Sequence, residues 1–210
     1  HEADGLGGAL SDSLDSLEMS LMSYRSYVGA DTYSGYTNET WGYAQSYMML
    51  DIAALQQMYG ADYTTNSGNT TYAWSPTTGV TLVNGAVAIQ PGANRVFLTV
   101  WDGGGHDTLD ASGSSGNNLF GLGFDNEEVF GGSGFNFYDD NTFLGTGHDR
   151  TINITAIGSG DILFFDHRSS LEVTSDTTSA GIRTILFNDN KTYHITDTIT
   201  VQFGGSGPAP

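Results

Sequence analysis

One stretch of this sequence, QSYMMLDIAALQQMYG beginning at Gln45, has the composition of a long helix. Its interior contains no proline or glycine and is rich in Met, Leu, Ala and Gln, which are good helix formers. Gly60 follows as a residue that can adopt the left-handed conformation of a helix cap. This is the one long helix that the sequence predicts, over residues 45–59, and the chain around it is predicted to form loops and strands.

The apolar side chains of the predicted helix recur at helical spacing, whereas Asp51, Gln56 and Gln57 lie off this stripe. Such a stripe is typical of a helix that buries one broad face. Its members are Tyr47, Met48, Ile52, Leu55, Met58 and Tyr59.

After Gly60 the apolar pattern changes to short runs separated by turn residues, which is typical of strands. Asn84-Gly85 and Pro91-Gly92 are two of these turn signals. Strands are predicted near residues 72–74, 80–83, 86–89, 95–100, 151–157, 161–165, 183–187 and 192–195. The sequence therefore predicts a mainly β fold.

Charge and composition restrict the possible partners. The 210 residues include 24 acidic and 6 basic side chains, a net charge of -18 that would repel nucleic acid and anionic lipid. We therefore expect no nucleic-acid or membrane partner; the charge favours bound cations, with plain solubility as the alternative.

The absence of cysteine excludes disulfides and thiolate chemistry. No apolar run is long enough for a transmembrane helix. A Sec signal is not predicted either, because no basic segment precedes an apolar run at the start of the sequence.

Glycine-rich turns carry the candidate metal chemistry. Calcium-binding parallel β-rolls repeat G-G-x-G-x-D-x-U-x, in which U is a large apolar residue and the aspartate and backbone carbonyls supply hard oxygen ligands. Four stretches approach this pattern, at residues 102–109, 131–138, 145–149 and 158–161. Each alone is also compatible with an ordinary Gly-Asp turn. Because the four are not in tandem at nine-residue spacing, a shortened β-roll or β-sandwich is predicted rather than a full roll.

Five motifs occur in the order SLMSYRSY, YMMLDIAALQQMYGA, NSGNTTY, FLTVWDGGGHDTLDAS and EEVFGGSGFN. Together they resemble the serralysin-type metzincin zinc proteases (peptidase family M10B), in the part that follows the zinc-binding helix. The resemblance covers about residues 1–138. It implies that SLMSY is the Met-turn, with Met22 beneath the zinc ion and Tyr24 as the extra phenolate ligand that assists the transition state.

The chain departs from these proteases at the zinc motif. H-E-x-x-H-x-x-G-x-x-H is absent, because no histidine occurs between His1 and His106. Catalytic zinc needs its histidine ligands and the glutamate base, so this chain alone is expected not to hydrolyse peptides. Zinc and a protein substrate are expected only for an intact parent protease.

The same resemblance implies two calcium sites. Both use Asp107, and the family commonly has arginine where Asn66 stands, a difference that a carbonyl ligand tolerates. The first would combine the carbonyls of Asn66, Gly68 and Gly104 with the Thr70 hydroxyl, Asp102 and Asp107. The second would combine Gly105 and Asp107 with Asp125 and Glu127.

These observations predict three segments: residues 1–62 as the end of a metzincin catalytic domain, residues 63–203 as a calcium-binding β-sandwich or β-roll domain with RTX-like turns, and residues 204–210 as a flexible tail. The predicted function is that of the C-terminal portion of a secreted, serralysin-like metalloendopeptidase, whose β domain supports folding and type I secretion. The alternative is a non-catalytic, calcium-stabilised extracellular module for adhesion or assembly. The helix face that includes Met48, Met49, Leu55 and Met58 is expected to be covered by the N-terminal part of the same protease or by self-association, because large apolar patches are rare on monomers.

Overall fold

The computed structural model describes residues 11–12, 14–116, 118–122, 127–131, 133, 136–140, 151–155, 160–165, 170–189 and 191–204. Within these ranges the fold is mainly β, as the sequence predicts, and none of the described helices is long and apolar enough to cross a membrane. The elements are α1 (Met49–Tyr59), β1 (Thr71–Trp74), β2 (Thr81–Val83), β3 (Ala86–Ile89), β4 (Asp107–Asp110), β5 (Asn118–Leu122), β6 (Glu127–Phe130), β7 (Asn136–Asp140), β8 (Thr151–Thr155), β9 (Ile162–Phe165), β10 (Val173–Ser179), β11 (Ile182–Phe187), β12 (Thr192–Thr196) and β13 (Thr200–Phe203).

The chain divides into two compact units. The N-terminal unit comprises His1–Thr65, Thr77–Val80 and Ile89–Gly103, and includes α1. The β unit comprises Asn66–Pro76, Thr81–Ala88 and Gly104–Pro210.

In the N-terminal unit, α1 begins at Met49, so the predicted start at Gln45 is wrong. The Gln45 amide donates to the Phe97 carbonyl, and the Ser46 hydroxyl contacts the backbone of Thr99. These partners lie some fifty residues away and hold Gln45 and Ser46 out of the helix. Met48 is the extended residue before α1, and its amide donates to the Asp51 carboxylate at 2.9 Å, which caps the first turn.

The predicted burial of the apolar stripe on α1 is wrong for most of its members. Met48 is buried, but Leu55, Met58 and Tyr59 remain 37%, 63% and 81% exposed, and none of the helical residues is buried. The part of the stripe near the end of α1 therefore faces solvent.

The predicted strand at residues 95–100 is also wrong. The segment is not a strand, although Phe97 accepts a backbone hydrogen bond from Gln45 and the Arg95 carbonyl accepts one from the Gln45 side chain. Its partners are mostly side chains rather than a continuous neighbouring backbone, which explains why no ladder forms.

The β unit contains a parallel coil of short strands, and the pairs β1–β2, β10–β11 and β11–β12 beside it are antiparallel. Strands β4 to β9 alternate between a nine-stranded sheet, of order β10-β11-β12-β8-β6-β4-β1-β2-β3, and a four-stranded sheet, of order β13-β9-β7-β5. Neighbouring coil strands are parallel in both sheets, and β12 and β13 continue the coil against β8 and β9. This alternation is the topology of a β-roll.

The length of one coil explains why the sequence pattern is weak. Asp107 pairs with Glu127, and Asn118 pairs with Asn136, so the first coils take about 18 to 20 residues, or two nonapeptide repeats. The next coil is longer, because Glu127 pairs with Ile152. The lengthening breaks the nine-residue period that a sequence search for tandem repeats needs.

The core of the β unit is an aromatic cluster at the far end of the coil. Phe165 has no solvent exposure, and its ring centroid lies 5.0 Å from that of Phe187, 4.9 Å from that of Tyr193 and 5.3 Å from that of Phe203. Edge and stacked contacts of this kind add to the free energy of apolar burial. Leu163, Ile185 and Ile195 are also buried.

Candidate metal centre

The Met-turn segment, residues 20–24, is fixed to α1 by one carboxylate. Asp51 accepts hydrogen bonds from the Ser20 hydroxyl at 2.7 Å, the Leu21 amide at 2.9 Å and the Met48 amide at 2.9 Å. Charge-assisted bonds to a carboxylate are stronger than neutral ones. Asp51 therefore joins the cap of α1 to the turn.

A second carboxylate fixes the other end of the turn. Asp15 accepts from the buried Ser23 hydroxyl at 2.7 Å and forms an ion pair with Arg25 at 2.9 Å. The hydroxyl, followed by the guanidinium, lowers the pKa of Asp15 below its ordinary value of 3.8. Tyr36 adds a hydrogen bond from its hydroxyl to the Ser23 carbonyl at 2.6 Å.

The serines of the turn are buried, whereas Met22 and Tyr24 are 58% and 57% exposed. The resemblance assigns these two exposed side chains to the surroundings of a zinc ion. The residues present do not complete a zinc site, because the printed sequence contains no H-E-x-x-H motif. Asp51 and the two serines were not among the predicted site residues, although Asp51 three positions after Met48 has the spacing of a capping box.

In the β unit, two turns lie beside each other because strands β1 and β4 are parallel neighbours. Thr71 pairs with Thr108, and the Thr108 amide donates to the Thr70 carbonyl at 2.8 Å. Residues 66–70 immediately precede β1, residues 104–106 immediately precede β4, and Asp107 is the first residue of β4. Parallel pairing therefore brings the two turns together across 37 residues of sequence.

Three oxygen atoms converge within the first turn. The Thr70 hydroxyl lies 3.1 Å from the Asn66 carbonyl oxygen and 2.9 Å from the Gly68 carbonyl oxygen. A hydroxyl carries one proton and can donate it to one of these carbonyls at a time. Oxygens spaced in this way fit as neighbouring ligands of an ion that is bound at about 2.3–2.6 Å, the usual Ca2+–oxygen distance.

Asp107, the first residue of β4, contacts the first turn. One of its carboxylate oxygens accepts from the Thr70 amide at 3.0 Å, and both residues are buried. Asn69 also joins the turns, because its side-chain oxygen accepts from the His106 amide at 3.0 Å. A buried carboxylate beside three converging oxygens is the donor set that a hard cation prefers.

Glycine is required where the two turns approach each other. A Cβ atom on Gly105 would lie 2.5 Å from the Gly68 carbonyl oxygen, a distance that no side chain tolerates. Gly104 and Gly105 both have positive φ, at 139° and 136°. The DGGGHD motif is thus needed by the backbone as well as by the proposed ligands.

For the other predicted ligands, Asp102, Glu127 and Asp125, the structure gives fewer contacts. Asp102 is buried and belongs to the N-terminal unit, and its role in a metal site stays a prediction. For the second site, the backbone of Glu127 is the register partner of Asp107 on the next coil. Asp125 lies outside the described residues.

The structure describes the remaining glycine turns and histidines only in part. Asp161, which precedes β9, is buried, whereas residues 145–149, His148 and His167 lie outside the described part. The His194 ring nitrogen Nδ1 lies 2.9 Å from the Thr184 hydroxyl on β11. Among the side chains that the structure describes, no three His, Asp or Glu residues cluster as metal ligands. A site built here would depend on carbonyl oxygens.

Part of this chain is similar in sequence to curated proteins that are metalloproteases by name. Metallopeptidase AprA of Pseudomonas marginalis is 41% identical over 80 residues, which cover 38% of this chain and 16% of the relative. Metalloprotease AprA of Pseudomonas entomophila is 34% identical over 119 residues, which cover 52% of this chain and 23% of the relative. Serralysin C of Dickeya chrysanthemi is 36% identical over 110 residues, which cover 51% of this chain and 21% of the relative.

About half of the chain is therefore homologous to the serralysin and AprA metalloproteases. No family model matches the chain. The chain spans less than a quarter of the length of these relatives.

Proposed function

We propose that this chain is the part of a secreted, serralysin-like zinc endopeptidase that follows its zinc helix, and that its β unit binds calcium. The first site would use Asn66, Gly68, Thr70, Gly104 and Asp107, with Asp102 as a further ligand. A second ion would share Asp107 with Gly105, Asp125 and Glu127. Calcium binding would stabilise the roll outside the cell and so support folding after type I secretion.

The observation that carries the calcium proposal is the position of the Thr70 hydroxyl between two carbonyl oxygens. Without a cation, one of these carbonyls lacks the hydroxyl proton at any moment. A calcium ion would bind all three oxygens at once. The homology supports the proteolytic part of the proposal, because relatives of this segment are metalloproteases by name.

Proteolysis itself would require residues beyond this chain. Met22 and Tyr24 are held on the surface of the Met-turn segment by buried Ser20 and Ser23. In a longer polypeptide that supplies the zinc histidines, this exposed face would lie against them. The zinc would supply Lewis-acid activation of water there, and this chain would contribute the support of the site.

The exposed face of α1 would be covered by the same upstream part of the polypeptide. A groove of about 370 Å³ runs along this face in the N-terminal unit. It is lined by apolar and neutral side chains, including Ile52, Leu55, Tyr59 and Trp101. Oxidation of Met58 by peroxide should be slower in the longer polypeptide than in this chain; equal rates would contradict the proposal.

Calcium-dependent melting tests the site. The melting temperature of the wild-type chain should rise in millimolar calcium relative to EGTA. Extracellular calcium modules have dissociation constants of about 0.1–1 mM, and calcium at a hundred times that constant would add about 2.7 kcal/mol. Asp107→Ala should abolish most of the rise, because Asp107 serves both proposed ions.

Asp189→Ala is the matched control, since Asp189 lies in the β11–β12 turn and has no proposed ligand role. It should leave the calcium-dependent rise nearly intact. Equal behaviour of the two variants, or a wild-type melting temperature that ignores calcium, would refute the assignment.

A further inference from the structure

The two edges of the nine-stranded sheet differ in chemistry. At one edge, β10 has the sequence VTSDTTS, and its Asp176 forms an ion pair with Arg183 at 2.7 Å. At the other edge, β3 has the sequence AVAI and no charged residue. Ala86, Val87 and Ala88 are exposed, Val87 to 63%. Proteins usually protect such edges with charges, proline or a bulge, and β3 itself has none of these.

The sequence around β3 is also unusual for this chain. Of its 24 acidic residues, none lies between Asp62 and Asp102. Two copies that carry -18 each repel one another over most of their surface. The β3 edge is a place where they can meet without opposing carboxylates from this stretch.

The backbone of β3 is ready to pair. It follows β2 through Asn84 and Gly85, whose φ angles of 50° and 79° are those of a tight hairpin turn. Among the described residues, β3 is the last strand of its sheet and pairs with β2 alone. Its outer amides and carbonyls face away from the sheet, as in any edge strand.

We propose that β3 is a self-association edge, at which the strand pairs antiparallel with β3 of a second copy. An antiparallel pair of identical strands is isologous, so it closes as a two-fold dimer instead of growing into a filament. Centred on Val87, the pairing sets the two Val87 side chains against each other and covers an apolar side chain that is 63% exposed. This proposal is independent of the calcium site, to which β3 contributes no ligand.

The association is weak. Pairs of four-residue strands bury less than the roughly 1,200 Å² of a standard stable interface. Dimers should therefore form reversibly, with a dissociation constant of about 10 µM to 1 mM.

Sedimentation equilibrium on the full chain, in constant excess calcium, tests the proposal. Wild type should shift from monomer to dimer across that concentration range. Val87→Lys should weaken dimerisation at least tenfold, because it sets two ammonium groups together at the two-fold axis. Thr177→Lys, at an exposed position on β10, should dimerise like wild type. Circular dichroism melts check that both variants are folded.

Hydrogen exchange supplies a readout without any variant. Amides of Ala86–Ile89 that point outward should gain protection as wild-type concentration rises, while those of β10 should not. A monomer at all concentrations would overturn the proposal. So would a dimer that Val87→Lys leaves unchanged or that Thr177→Lys disrupts equally, since these results would place the interface elsewhere, for example on α1.

Discussion

In the N-terminal unit, the buried apolar residues of the described part are Leu17, Ala30 and Met48, and two carboxylates fix the turn that precedes α1. In the β unit, the buried residues form an aromatic and aliphatic core along continuous backbone ladders, with Phe165 in its centre. The first unit is thus ordered by hydrogen bonds from polar side chains, and the second by packing. The described part of the N-terminal unit, which contains the Met-turn segment, therefore buries few apolar side chains.

This difference predicts how the stability of each unit responds to substitution. Met22 and Tyr24 are exposed, and the serine hydroxyl groups beside them hold the backbone of the turn. The coil of short strands buries its own core along the backbone ladders. The N-terminal unit should respond to loss of a carboxylate, whereas the β unit should respond to loss of packing or of calcium.

The largest effect is expected from Phe165→Ala. Removing a fully buried phenylalanine costs about 3–5 kcal/mol, which is a large part of the free energy of unfolding of most domains. Urea denaturation should show this loss. Leu119→Ala, at a position 64% exposed on β5, should change the free energy little. Equal losses in the two variants would contradict the position of the core.

Asp51→Ala should have the next largest effect. It leaves the Ser20 hydroxyl and the amides of Leu21 and Met48 without their acceptor, a loss of about 2–3 kcal/mol. Hydrogen exchange at the Leu21 and Met48 amides should accelerate, while the β unit keeps its protection. Gln57→Ala, on an exposed position of α1, is the control. Unchanged exchange at Leu21 would show that Asp51 does not hold the turn.

The smallest effect concerns pH. The Ser23 hydroxyl and then Arg25 lower the pKa of Asp15 below 3.8, so the ionised form is favoured in the folded state. Its contribution to stability is present above pH 3.8 and is lost as the pH falls through the lowered pKa. Carbon NMR titration of the Asp15 carboxyl should show the low pKa, and Ser23→Ala should raise it. An Asp15 pKa that Ser23→Ala leaves unchanged would contradict this cause.

Strand β3 and the end of α1 could be predicted from sequence because local signals mark them. Asn84-Gly85 forces a hairpin, and Gly60 ends the helix with a φ of 85°. The start of α1 depends on partners at Phe97 and Thr99, which no local pattern reveals.

The coil and the candidate site also depend on long-range contacts that no local sequence pattern reveals. Strands such as β4 and β6 are four residues long, and their pairing is long-range. Asp107 and Thr70 entered the predicted site through the family resemblance. The contact between them depends on the parallel register of β1 and β4. Asn69 was missed because nothing in the sequence pairs it with His106.

Equilibrium dialysis against calcium tests the central claim, that the turns before β1 and β4 form a cation site. Wild type should bind calcium at submillimolar to millimolar concentrations. Thr70→Ser, which keeps the hydroxyl, should bind like wild type, whereas Thr70→Val should bind about tenfold more weakly and Asp107→Ala should lose most of the bound ion. Binding that Thr70→Val and Asp107→Ala leave unchanged, or no binding by the folded wild-type chain, would contradict the account.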